Sequence, residues 1–195
     1  VPYRYLILDS RSTPLARGHL ETPPDAAVWQ VRVLDQAVEN VLNHEYLQLV
    51  SMTDHAPAKM GRLLRQHEDI ISIEPIEDLD DEVLQNLRVL VKFSTYIYPL
   101  SGTWKGRIPV ISHDLSCRGL SFYCSFPLEV GELLEVVVPI TDHPLILRAK
   151  VLRQRPSNSQ IPLFSANFVD LVSGEESMVR EAVFGQQIQN KNQAE

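Results

Sequence analysis

Residues 114–126 read Asp114-Leu115-Ser116-Cys117-Arg118-Gly119-Leu120-Ser121-Phe122-Tyr123-Cys124-Ser125-Phe126. Leu120, Phe122, Cys124 and Phe126 alternate with Ser121, Tyr123 and Ser125. A period of two sends successive side chains to opposite faces of a sheet, so this half is a strand with one apolar face. The preceding Asp114, Ser116 and Gly119 are turn-forming types: Asp and Ser bond to nearby backbone, and Gly takes a positive φ or admits a close approach to its backbone. The stretch therefore reads as a strand connection followed by a half-buried strand.

The same pattern extends outward. Residues 107–112 and 89–98 precede it as strands. Residues 133–140 form a nearly continuous apolar run, Leu145, Leu147, Ala149 and Val151 alternate with Arg148 and Lys150, and Phe164, Ala166 and Phe168 alternate again. Six strands within about 80 residues, each set off by a turn, favour a closed barrel. Ser173 and Glu176 have capping-box spacing, which predicts a following helix packed through Met178, Val179, Ala182 and Val183. The polar residues 189–195 are expected to form a flexible tail.

Toward the N-terminus, residues 5–8, 15–21, 28–34, 46–52 and 70–73 read as short strands separated by Pro-rich turns. Trp29, Val31 and Val33 share one face there, while 35–43 is left open between a helical turn and a loop. The acidic run Glu77-Asp78-Leu79-Asp80-Asp81-Glu82 suits a solvated linker and a helix N-terminus. Val83, Leu84, Leu87 and Leu90 continue it at near-helical spacing as a connector helix. The expected organisation is all-β: two small β-barrels, with an N-terminal barrel-like domain over 1–78, a second domain over 79–188 that includes the connector, and the tail.

Composition narrows the function classes. The 195 residues carry 18 Lys and Arg against 25 Asp and Glu, a net charge of −7, which argues against binding a nucleic-acid polymer. A single small anion in a local basic pocket stays compatible with that charge. No apolar run reaches a membrane-spanning length, and the apolar stretch at 5–8 is too short for a signal peptide. Two cysteines, Cys117 and Cys124, do not make a disulfide framework, so the expected setting is reduced and cytoplasmic, without membrane insertion. Phosphate-loop, zinc-protease and nucleophile-elbow patterns are absent. His113, Asp114 and Ser116 are adjacent in sequence, but a triad requires convergence in space. No catalytic and no metal-binding residues are expected.

The ordered series Asp114-x-Ser116-x-x-Gly119, Leu120-Ser121-Phe122-Tyr123, Pro127-Leu128-Glu129-Val130-Gly131-Glu132-Leu133-Leu134-Glu135-Val136, Ala149-Lys150-Val151-Leu152-Arg153 and Phe164-Ser165-Ala166-Asn167-Phe168 resembles the PilZ domain family. The resemblance runs from about residue 88 to 188. It implies a six-stranded barrel with a C-terminal helix, in a bacterial regulatory protein that binds the second messenger cyclic di-GMP and is not an enzyme. It also implies two ligand elements, an Arg-x-x-x-Arg segment and the Asp-x-Ser-x-x-Gly turn. Asp114, Ser116 and Gly119 match the second in full, with Arg118 as an additional contact. Arg88 and Lys92 match the first as Arg-x-x-x-Lys. A lysine keeps the charge but lacks the planar fork and stacking face of arginine.

The strand-rich N-terminal part resembles the extra barrel of two-barrel, flagellar-brake-type members. The implied mechanism couples ligand binding, without any cofactor, to domain rearrangement and to a protein partner of the flagellar motor or polysaccharide machinery. The alternative is a PilZ protein that binds no cyclic di-GMP and serves as a protein-interaction module. Asp114, read as an exposed turn residue, is expected to matter more for binding than for folding.

Overall fold

The computed structural model describes residues 3–52, 56–80, 87–172 and 174–194. The chain divides into two compact units, Val1–Leu84 with Gln187–Glu195, and Gln85–Gln186. Strands dominate both, and each holds a closed six-stranded barrel.

The first barrel comprises β1 (Tyr3–Asp9), β2 (Pro14–Leu20), β3 (Trp29–Val33), β4 (Tyr46–Ser51), β5 (Lys59–His67) and β6 (Ile70–Asp78). Their order is β1-β2-β3-β6-β5-β4, closed by antiparallel pairing of β1 with β4. Tyr5, Ile7, Trp29, Val31, Val33, Leu47, Leu49, Ile71 and Ile73 fill its core. Trp29 packs against Tyr5 with ring centroids 5.3 Å apart and donates from its indole N–H to the Pro24 carbonyl at 3.2 Å. The five expected strands are present, and the open segment holds a short helix, α1 (Val38–Leu42).

Strand β5 is an addition to the sequence reading. Gly61 is its one buried residue, so no apolar alternation marks it. The close approach to β6 excludes a side chain at that position, since a Cβ on Gly61 would lie 2.3 Å from Ile73 Cγ2.

The second unit contains β7 (Arg88–Leu90), β8 (Ser94–Pro99), β9 (Ile108–Ser116), β10 (Gly119–Tyr123), β11 (Leu133–Val138), β12 (Leu145–Arg155) and β13 (Leu163–Phe168). The order β10-β13-β12-β11-β8-β9 closes through β9–β10 pairing, and β7 adds to β9 beyond β8. Phe122 and Phe164, with ring centroids 6.4 Å apart, lie among its buried side chains.

Three expectations are corrected here. The single strand over 89–98 is two strands, because the Ser112 hydroxyl accepts from the Phe93 N–H and donates to the Val91 carbonyl, taking up backbone groups that a continuous ladder would use. Glu77 and Asp78 end β6, and Leu90 lies on β7, 66% exposed, not on a helix. Leu79, Asp80 and Leu87 are not helical either, and residues 81–86 of the expected connector lie outside the described residues, as does Ser173 of the capping box. Finally, helix α2 (Glu175–Ala194) runs through most of the expected tail. Its Gln, Lys and Ala are good helix formers, and extending an existing helix avoids the nucleation cost. Val179, Arg180, Val183 and Phe184 are buried on α2, whereas the expected Met178 and Ala182 are half-buried.

Candidate functional site

The end of β9, the start of β10 and the short β7 meet at one corner of the second barrel. Register places Arg88 opposite Ser116 and Leu90 opposite Asp114 on one side, and Ser121 opposite Asp114 on the other. The intervening turn is organised by Ser116. Its hydroxyl accepts from the N–H groups of Arg118 (3.3 Å) and Gly119 (3.2 Å) and donates to the Gly119 carbonyl (3.1 Å). Ser116 bonds to turn backbone and not to His113, which removes the triad arrangement.

Gly119 does not take a positive φ, contrary to one reading of the sequence. A Cβ there would stand 2.0 Å from the Ala166 carbonyl oxygen. Closeness of β10 to β13 therefore requires the glycine. Arg118 is exposed, and its carbonyl accepts from the Phe168 N–H at 2.7 Å.

Asp114 is 2% exposed, a correction to its reading as an exposed turn residue. Oδ2 accepts from Arg155 Nη1 at 2.8 Å and from His113 Nδ1 at 2.9 Å. Arg88 Nη1 lies 3.5 Å from Oδ1, which is buried and takes no hydrogen bond. Burial by itself would raise the carboxyl pKa. The bonds from His113 and Arg155 and the charges of Arg88 and Arg155 outweigh it and hold the pKa below the ordinary carboxylate value. Asp114 is thus an ionised acceptor at neutral pH.

Arg155 also donates to Ser121 Oγ at 2.9 Å, and Ser121 Oγ lies 3.1 Å from Ser165 Oγ. Arg88, Asp114, Ser116 and Gly119 are therefore brought together. Lys92 lies beyond β7, is exposed, and lines an open cleft of about 550 Å³ with Leu90, Ile111, His113, Tyr123 and Ile161. The His113 and Tyr123 rings meet edge-on in its wall, with centroids 5.8 Å apart.

Arg155 and Ser121 were not legible as site residues. Arg155 is 41 positions from Asp114 and reaches it only through the register of β12, β13 and β10. Both cysteines are free and buried, and burial pushes the Cys117 thiol up to about 11. Among the described residues, no group of three or more His, Cys, Asp or Glu side chains is placed to hold a metal ion. No helix among them is long and apolar enough to cross a membrane.

The family model for the PilZ domain matches residues 83–185, which spans the second barrel and the first half of α2. No curated protein matches the chain. Among solved structures, the inhibitor of motility MotI/DgrA of Bacillus subtilis is 13% identical, covering 98% of this chain and 97% of that one at a TM-score of 0.44. YcgR from Escherichia coli in complex with c-di-GMP is 13% identical, covering 99% and 87% at a TM-score of 0.43. The Borreliella burgdorferi PlzA protein in complex with c-di-GMP is 13% identical, covering 93% and 86% at a TM-score of 0.40.

Proposed function

The chain belongs to the PilZ domain family, and from that premise we propose that it is a receptor for cyclic di-GMP. The observation that carries the reading is Asp114: an ionised, buried carboxylate at the Asp-x-Ser-x-x-Gly turn, with Oδ1 free of hydrogen bonds and the exposed Arg88 beside it. Cyclic di-GMP offers two phosphates and guanine N–H donors. Arg88 and Lys92 neutralise the phosphates, Arg88 also able to meet a guanine edge, and Asp114 accepts from a guanine N–H. Ser116 and Gly119 hold the turn that presents Asp114, and Arg118 flanks it.

The reading involves no bond-breaking chemistry and no cofactor. Arg88 comes soon after the chain passes from the first compact unit into the second. Its capture by ligand phosphate is the step that would couple binding to domain rearrangement and to a protein partner, in a cytoplasmic signalling role of the motility or polysaccharide type. The domain division that goes with this reading is 1–78 and 79–188.

A second reading, an interaction module without ligand, is favoured by Lys92 and by the internal hydrogen bonds that occupy Ser116 Oγ and Asp114 Oδ2. Calorimetric titration of the full chain with cyclic di-GMP tests both. Saturable binding that weakens as salt rises is the expected result. No heat of binding and no ligand-induced change in thermal midpoint would leave the second reading standing.

A further inference from the structure

Asp114 is gripped asymmetrically. Oδ2 carries two charge-assisted hydrogen bonds, from Arg155 at 2.8 Å and His113 at 2.9 Å, whereas Oδ1 is buried without one. Arg155 is itself anchored, because the nitrogen that bonds Asp114 also donates to Ser121 Oγ at 2.9 Å. Its side chain is 26% exposed, against 56% for that of Arg88. The two arginines on Asp114 thus differ in kind. One is fixed at two points within the barrel, and the other is an exposed cation 3.5 Å from the unbonded oxygen. A buried acceptor left without a donor is unfavourable, and a ligand N–H would relieve it.

We infer that Arg155 is a positioning residue of the ligand site, pinning Asp114 through Oδ2 so that Oδ1 is reserved for a donor on the ligand. Arg88 is then the group that leaves Oδ1 for a ligand phosphate. The inference rests on the proposed cyclic di-GMP reading. It assigns a role to a residue on β12 that belongs to neither the turn nor the Arg-x-x-x-Lys segment.

The test is a calorimetric titration with cyclic di-GMP of the wild type, Arg155→Gln, Arg155→Lys, Asp114→Asn and the Asp114→Asn/Arg155→Gln double variant. Arg155→Gln should weaken binding at least tenfold, and Arg155→Lys should recover part of the loss. In the Asp114→Asn background the Arg155→Gln change should cost less than twofold, since a residue acting through Asp114 has nothing left to position. Should Arg155→Gln not fold cooperatively, Ser121→Ala, which removes the second anchor, should weaken binding severalfold. Wild-type binding with Arg155→Gln or Ser121→Ala unchanged overturns the inference alone. An equal loss in both backgrounds also overturns it, because Arg155 would then touch the ligand itself. Absence of wild-type binding overturns the receptor reading and the inference together.

Discussion

Gly119 at the start of β10 lies so close to Ala166 on β13 that a methyl group on Gly119 would stand 2.0 Å from the Ala166 carbonyl oxygen. The obstacle is backbone in a paired strand, where Gly119 sits opposite Asn167, so it cannot rotate aside as a side chain would. The last position of the Asp-x-Ser-x-x-Gly motif therefore has a folding role in this protein.

Gly119→Ala should destabilise the second barrel by about 1–3 kcal/mol or more, the usual cost of overpacking a tight site. Thermal and urea denaturation would report the loss with or without ligand. A variant as stable as the wild type would show that β10 and β13 separate readily.

Asp114→Ala should cost stability as well as binding. Removing one partner of a buried ion pair costs about 3–5 kcal/mol, and the partial exposure of Arg155 reduces the expectation to about 1–3 kcal/mol. The pH dependence has a definite sign. The folded-state pKa of Asp114 is depressed, so its contribution is fully present above the unfolded value of about 3.9 and is lost as pH falls through the folded value. Asp114→Asn should therefore differ from the wild type by a constant amount above about pH 5 and converge on it in acid. Denaturation midpoints measured from pH 7 to pH 3 check this.

Lys92→Arg should tighten cyclic di-GMP binding by about 1 kcal/mol or more, because a guanidinium restores the bidentate geometry and stacking face that an ammonium lacks. Arg88→Ala should abolish binding or nearly so. Two unchanged titrations, on folded protein, would remove both side chains from the site.

Cyclic di-GMP should remain intact after prolonged incubation with the protein and divalent metal. The polar groups at the turn hold a carboxylate and stabilise backbone; none of those described pairs a nucleophile with a base. Chromatographic appearance of linear dinucleotide in proportion to protein would contradict this.

Much of the architecture was legible because strands with one buried face write a period of two into the sequence. The alternation at Trp29, Val31 and Val33 corresponds to the buried positions of β3, whereas on β10 Ser121 is buried along with Leu120 and Phe122. β5 wrote no such pattern, since it contributes one buried glycine, and α2 ran on through polar residues that carry no apolar stripe. The turn residues of the site were legible for a related reason. Ser116 bonds the backbone of Arg118 and Gly119, two and three positions on, so its spacing from the glycine records local chemistry.

What sequence alone determined, then, is the strand series, the turn and the resemblance they carry. Tertiary structure alone decided the electrostatics of the turn. Arg155 is 41 residues from Asp114 and meets it because paired strands bring distant positions together. That pairing fixes the buried Asp114 carboxylate and keeps it ionised against the burial that would by itself raise its pKa. Linear spacing encodes local hydrogen bonding and periodicity, whereas burial and charge pairing depend on strand register across the closed sheet.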